Sequence, residues 1–344
     1  MAISKRTSIA DLAQQLGISV STVSRALSDH PGISDLTKDR VRQLAQQLNY
    51  RPNQLAAALR KGQSKTFGVI VPHIRGYFFP AVMNGIEKVA SEAGFNVMMC
   101  QSNEDLRREQ QNIDALLAAQ VEGILVSLSA TTHDDWQHLE QVRQQGTPLV
   151  FFDRMADLPN STAVVLDDFQ GAYQAVAHLI EQGCTRIAHF AGPQHLNTSR
   201  NRYLGYQEAL RAHGLPLEEQ LVYALPAMTH DDGRRGMEHL LSLGVPIDAL
   251  FGAYAIATVG AMEVLNERNL RVPQDVALAC FSNEPFTNMT HPRLTVVNQR
   301  AEQMGETAVR LLLQLIKRGP EYTPPPLVLK PELIIRASSL HKER

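Results

Sequence analysis

The sequence predicts an N-terminal all-α helix-turn-helix domain followed by an α/β body of two doubly wound parallel-sheet subdomains. Three observations predict it. The first fifty residues hold short amphipathic stretches punctuated by turn residues. From Phe67 onward, apolar runs of strand length alternate with longer amphipathic runs, the rhythm of doubly wound sheets. The tetrapeptide THDD occurs at 132–135 and again at 229–232, an echo that fits two similar halves facing each other.

The head can be justified element by element. Ile9, Leu12, Ala13 and Leu16 follow Ser8 at helical spacing, and Asp11 stands three residues after Ser8, the pattern of a capping box. Gly17 is the expected stop, because the tight turn needs positive φ. Ser19 caps a second helix with Val20, Val23 and Leu27 as its expected inward face and Ser21, Thr22, Ser24 and Arg25 facing out. Pro31-Gly32 breaks the chain, Ser34 caps again, and Val41, Leu44, Ala45 and Leu48 line a third helix. In a helix-turn-helix the first turn of the second helix enters the DNA major groove. Hydroxyls and a short β-branched side chain let it approach base edges and phosphates, and Arg25 can fork onto a guanine. After Pro52-Asn53, the alanine-rich segment Leu55 to Arg60 is too short to be helical alone. Such a segment can order when two copies pair on DNA, with Leu59 available as an apolar wedge for the minor groove.

Charge divides the chain in the same place. Residues 1–66 carry ten basic and four acidic side chains, a net of +6, and the remainder carries 23 basic and 31 acidic, a net of −8. A basic head on an acidic body points to an anionic partner for the head. At 344 residues, with 44% hydrophobic and 20% charged, the chain reads as a soluble protein of two or three domains. No apolar run reaches the ~18 residues of a membrane span, and MAISKRTSIADLA lacks the apolar core of a secretory signal. Cys100, Cys184 and Cys280 stand far apart among apolar neighbours, as reduced thiols do in a cytoplasm. The expected location is cytoplasmic.

The head resembles the lactose-repressor/galactose-repressor (LacI/GalR) family of bacterial transcription regulators. The matching motifs are IADLAQQLGISVSTVSRAL, LNYRPNQLAAALR and FGVIVP, in the family's order and spacing. The resemblance implies that Val20, Ser21 and Arg25 read bases and that Ser19, Thr22, Tyr50 and Asn53 hold phosphates. It implies that Leu59 is the hinge leucine prising open a central base step, with Arg60 beside it among the DNA-contacting residues. It covers nearly the whole chain and implies a periplasmic-binding-protein-like body of type I, crossing between halves near 162–165, 290–293 and 322–326. The expected domains are 1–52 for DNA binding, 53–66 for hinge helix and linker, 67–162 plus 293–323 for one effector subdomain, and 163–292 plus 324–340 for the other.

Nine strand-like runs mark the body: FGVIV (67–71), NVMMC, GILVS, PLVFF, AVVL, RIAHFA, LVYAL, ALFGA and VALAC (276–280). Ligands of such sheets bind outside the carboxyl ends of the strands. Phe78 and Phe79, at a helix start after the first strand, offer an apolar platform for a sugar or base ring, or else pack the core. Asp153 and Arg202 match positions where relatives place polar ligand contacts, and suit hydroxyls or an anionic group. Ser127 is a weaker candidate, expected to be a strand-end hydroxyl bonded to backbone. Departures from the family pattern fall at Tyr254-Ala255, where relatives carry Asn-Asp, and at Cys280, Ser282 and Asn283, where relatives carry glycine and acids. They put the usual simple sugar in doubt and leave another metabolite open.

No nucleophile elbow, P-loop, dinucleotide fingerprint or metalloprotease helix is present. Asp167-Asp168 reads as helix-start capping, and both THDD copies read as helix starts with Thr as cap and Asp at N3. Neither a cofactor nor a metal is expected, and neither is an enzyme activity. The function that results is a sequence-specific DNA-binding regulator, a repressor whose affinity for double-stranded operator DNA answers to a small-molecule effector such as a sugar. A sugar-binding receptor with the same body is the alternative. A two-fold operator requires a homodimer, for which AVMNGIEKVASEAG and 229–243 are candidate surfaces.

Overall fold

The computed structural model describes residues 7–50, 64–133 and 135–340, and the chain divides into two units, Met1–Ser64 and Lys65–Arg344. In the first unit lie α1 (Ile9–Leu16), α2 (Val20–Leu27) and α3 (Asp35–Gln47). Ser8 and Asp11 form the expected capping box, Gly17 ends α1 in the left-handed conformation, and Ser19 and Ser34 cap the next two helices. Leu12, Ala13, Val23, Ala26, Val41 and Ala45 make the core. The expected inward face of α2 is corrected at one position. Val20 is 44% exposed and Ala26 is fully buried in its place. An eight-residue helix offers both the 20/23/27 and the 23/26/27 stripe, and the small Ala26 lets α2 approach its neighbours more closely. Lys38 lies between Asp29 and Asp35, at 3.1 and 3.4 Å, and Arg42 reaches Asp29 at 2.9 Å, tying the turn after α2 to α3.

The second unit contains two six-stranded sheets. The first runs β11-β5-β4-β3-β1-β2, comprising β1 (Thr66–Val71), β2 (Asn96–Gln101), β3 (Gly123–Val126), β4 (Leu149–Phe152), β5 (Ala163–Leu166) and β11 (Leu327–Leu329), all parallel. With α4 (Phe78–Glu92), α5 (Leu106–Ala118), α6 (Gln137–Gln144) and α11 (Ala301–Arg318) it forms the first lobe. The second sheet runs β12-β10-β9-β8-β6-β7, comprising β6 (Ile187–Ala191), β7 (Val222–Ala224), β8 (Ala249–Gly252), β9 (Ala277–Phe281), β10 (Thr295–Asn298) and an antiparallel β12 (Glu332–Ile334). It forms the second lobe with α7 (Asp168–Glu181), α8 (Asn197–Ala212), α9 (His230–Ser242) and α10 (Ala255–Glu267). Alternate strand residues feed cores on opposite faces. In β8, Ala249 and Phe251 enter one core and Leu250 the other. This two-sided burial is why the strands read as continuous apolar runs.

The crossings between lobes come later than 162–165, 290–293 and 322–326. β5 completes the first sheet before the chain leaves it, β10 belongs to the second sheet, and β11 returns to the first before β12 joins the second. An apolar run buried on both faces looks the same in either sheet, so periodicity does not tell to which one it belongs. The apolar side of α4 is occupied inside the lobe. Gly85 lies so close to Glu302, and Gly305 on α11 to Val82, that a methyl group at either would overlap backbone carbonyl oxygen.

The two THDD segments differ. Thr229 and Asp232 form a capping box at the start of α9. In the earlier copy, by contrast, α6 begins only at Gln137, and the Thr132 hydroxyl donates instead to buried Glu109 at 3.1 Å. The first segment is therefore not a helix start: the loop is drawn to a buried carboxylate that also accepts the Ser129 N–H and hydroxyl.

Candidate functional site

At the start of α2 three hydroxyls converge. The Ser19 Oγ lies 2.8 Å from both Ser21 Oγ and Thr22 Oγ1 and accepts the Thr22 N–H at 3.1 Å. Val20 and Arg25 are exposed beside them. A helix N-terminus with hydroxyls around it and a guanidinium one turn on suits phosphate oxygens and base edges. Tyr50 is half-buried against the head core, its N–H bonded to the Ala45 carbonyl at 2.8 Å. Asn53, Leu59 and Arg60 lie outside the described residues.

In the body, the strand ends place polar groups from both lobes around a cleft. Asp153 follows β4 with φ 60 and is buried. Burial lifts its carboxyl to about 6 against the pull of Arg154 and Arg202, with Asp168 pushing the same way as burial. Arg154, also buried, donates to Glu104 at 2.8 Å and to the Leu128 carbonyl at 3.2 Å. The expected backbone bond of the Ser127 hydroxyl is absent: the oxygen is buried without a hydrogen-bond partner. On the facing lobe, Arg202 donates through Nε to Asp168 and through Nη1 to the Ala253 carbonyl, both at 2.8 Å. Its guanidinium lies 4.0 Å over the Phe281 ring and 5.5 Å over that of Tyr254. Burial raises the Asp168 carboxyl and Arg202 draws it back. Asp167 is the helix cap that the sequence indicates, accepting the Gln170 N–H, whereas Asp168 is the buried counter-ion of Arg202. The Tyr254 hydroxyl is 2.8 Å from Ser199 Oγ.

A cavity of about 540 Å³ brings Phe78, Ser282 and Asn283 together with Tyr77, Gln299 and Arg300. Phe79 is turned away into the core, edge-on to His73 at 5.2 Å. Ser282 Oγ lies 3.3 Å from Glu284, and Asn283 accepts from Arg336 at 2.8 Å. Sequence reasoning missed Glu104, Asp168, His195 and Asn197. Asp168 had one usable signal, since a buried arginine needs a counter-ion and an acid at a helix start is the nearest supply. Cys184 and Cys280 are thiols pushed up to about 12 by burial. Among the described residues no three His, Cys, Asp or Glu side chains group as metal ligands, and no helix is long and apolar enough to cross a membrane.

Residues 8–53 match the family described as bacterial regulatory proteins, lacI family, and residues 176–339 match a periplasmic binding protein-like domain. The chain is 30% identical to the HTH-type transcriptional regulator RegA of Clostridium saccharobutylicum across 97% of its own length and 99% of the relative's. The chain belongs to the LacI family of bacterial regulatory proteins. It is similar over 97% of its length, at 29% identity and a TM-score of 0.73, to the whole chain of the transcriptional regulator CelR in complex with cellobiose. The fold of this LacI-family chain is also that of the lac repressor dimer bound to operator and an anti-inducer, with a TM-score of 0.87 over 98% of this chain and 100% of that one, at 24% identity. This LacI-family protein is a DNA-binding transcriptional regulator, as are its relatives.

Proposed function

We propose that this regulator is a cytoplasmic repressor without catalytic activity whose grip on operator DNA is set by a small polar metabolite, a sugar or a relative of one, bound between the lobes. Val20, Ser21 and Arg25 read base edges, Ser19, Thr22, Tyr50 and Asn53 hold phosphates, and Leu59 with Arg60 works at the minor groove. In the cleft, Asp153, Arg202 and Ser127 contact ligand hydroxyls, Phe78 offers a ring face, and Tyr254, Ser282 and Asn283 line the wall. The domains follow the sheets: a head, a linker, and two lobes that exchange chain three times. The active form is a homodimer, with Met98 and Met99 on the edge strand β2 and Met289 as exposed apolar surface for a second copy.

The observation that carries this reading is a cavity lined from both lobes, by Tyr77 and Phe78 of the first and by Ser282 and Asn283 of the second. The CelR relative holds cellobiose. The test uses the full chain. Duplexes selected from a random pool are titrated with protein, and sugars, sugar phosphates, nucleosides and sugar acids are screened by thermal shift. A true ligand at a hundredfold excess over its dissociation constant stabilises by ~2.7 kcal/mol and changes affinity for the selected duplex. Arg25→Ala is expected to relax preference at one base pair per half-site. Failure to select any duplex, or a ligand that leaves DNA affinity unmoved, refutes the reading.

A further inference from the structure

Asn197 begins α8 on the second lobe, yet its side chain is spent on the first. The carboxamide nitrogen donates to the Asp153 carbonyl at 3.0 Å, and the carboxamide oxygen accepts the Met155 N–H at 3.2 Å. One amide thus presents a donor and an acceptor to residues i and i+2 of a chain, as the backbone of a neighbouring β-strand would. Two residues before it, the His195 ring donates through Nε2 to the Ala130 carbonyl of the first lobe at 2.5 Å. Both contacts land on loops at the strand ends where Ser127 and Asp153 sit.

Asp153 needs such support. Its left-handed φ of 60 is uncommon for a residue with a side chain, although aspartate tolerates it better than most, and contacts from its surroundings help to hold it. Arg154, anchored to Glu104 and Leu128, holds the turn from within the first lobe, and Asn197 holds it from across the cleft. The 128–132 loop is secured in the same way, by Glu104 through the Ala130 N–H and by buried Glu109 through Ser129 and Thr132. Each loop gripped by the second lobe is therefore braced on its own side.

We propose that Asn197 is the positioning residue of the cleft. It sets the orientation of Asp153 and, with His195, clasps the two lobes, so that opening the cleft requires its carboxamide to let go. This deepens the reading of the cleft as the effector site and rests on it, while the clasp can be tested without a ligand.

The experiment is amide-resolved hydrogen exchange on the full-length chain, wild type against Asn197→Ala and Asn197→Asp. Loss of the acceptor in Asn197→Ala is expected to speed exchange at Met155 by roughly twofold to tenfold, the factor one hydrogen bond carries, with strands β3 and β4 unchanged. Asn197→Asp keeps an acceptor for Met155, so that amide is expected to stay near wild type although the Asp153 carbonyl has lost its donor. Unchanged Met155 exchange in Asn197→Ala overturns the clasp. A rise throughout every strand in Asn197→Ala signals unfolding, and Asn197→Asp then decides: protection retained at Met155 supports the clasp and protection lost overturns it. The variants are also titrated against the duplex selected by wild type. A threefold or larger change in affinity for Asn197→Ala without added small molecule is expected; unchanged affinity with altered exchange overturns the coupling of clasp to head. A wild-type chain that selects no duplex refutes the regulatory reading, and the exchange result still stands or falls alone.

Discussion

The two walls of the cleft are built on opposite plans. On the second lobe the polar groups are satisfied by protein: Arg202 by Asp168 and the Ala253 carbonyl, Tyr254 by Ser199. On the first lobe Arg154 is satisfied too, but the two candidate ligand contacts are not. The Ser127 hydroxyl has no partner, and the ion-pair contact of the Asp153 carboxylate, with Arg154, is 3.9 Å long. A wall that is complete without ligand is a rigid template, and a wall with buried polar groups in want of partners gains most from one. Under the proposed reading of the cleft as the effector site, the first lobe supplies affinity and the second supplies shape.

The strongest way to break this comparison is Arg202→Met. It leaves Asp168 buried without its counter-ion, and chemical denaturation is expected to show a loss of roughly 3–5 kcal/mol in the body transition. A smaller loss than that of first-lobe variants would mean that the second wall is not the prebuilt one.

Asp153→Asn is next and acts with pH. Burial raises the folded carboxyl from 3.8 to about 6, so the folded state holds this proton more tightly than the unfolded one. Its contribution to stability is fully present below about pH 4 and is lost as pH rises through 6. The variant is expected to lose that slope and to be more stable than wild type at pH 7.5 by up to about 3 kcal/mol. His189, in the core of the second lobe, runs the other way: burial holds its ring down to about 4. Its contribution is present above the ordinary histidine value of 6.5 and is lost as pH falls toward 4. Denaturation from pH 4 to 8 should therefore show a shallow wild-type profile and a clear rise with pH in Asp153→Asn.

Two smaller effects sharpen the contrast by their sign. Tyr254→Phe leaves the buried Ser199 hydroxyl without its partner and is expected to cost about 1–2 kcal/mol. Ser127→Ala removes a hydroxyl that already lacks one, so the unliganded chain is expected to gain up to about 1 kcal/mol by thermal denaturation. A loss at Ser127 comparable to that at Tyr254 would erase the distinction between the walls.

Much of this architecture was legible in the sequence. The capping box at Ser8, the turn at Gly17, and the caps at Ser19 and Ser34 are local chemistry, and each appears as the residues require. The nine strand-like runs all appear as strands; in seven of them burial on both faces demands unbroken apolar character, whereas the edge strands β2 and β7 are partly exposed. Three strands were missed, Thr295–Asn298, Leu327–Leu329 and Glu332–Ile334. The first sits behind His291-Pro292, and the other two are three-residue pieces flanked by Pro324, Pro325, Pro326 and Pro331. The cleft was half legible. Asp153 and Arg202 were named as candidates by their match to a family pattern, but what each one touches is set by residues distant in sequence. Glu104 and Asp168 acquire meaning from distant partners within their own lobes, Arg154 and Arg202, and Asn197 only from the facing lobe.

The three crossings have a mechanical consequence. They leave neighbouring strands, β5 beside β11 in one sheet and β10 beside β12 in the other, and they are tied together: the Asp167 N–H bonds to the Leu329 carbonyl at 2.9 Å, and Glu332 accepts from Asn298 at 3.2 Å with Arg300 at 3.7 Å. A door hung on three adjacent knuckles can swing but cannot slide or lift away. The lobes are thus left with one soft rotation, and a single protease cut at any one crossing would leave them still joined by the other two.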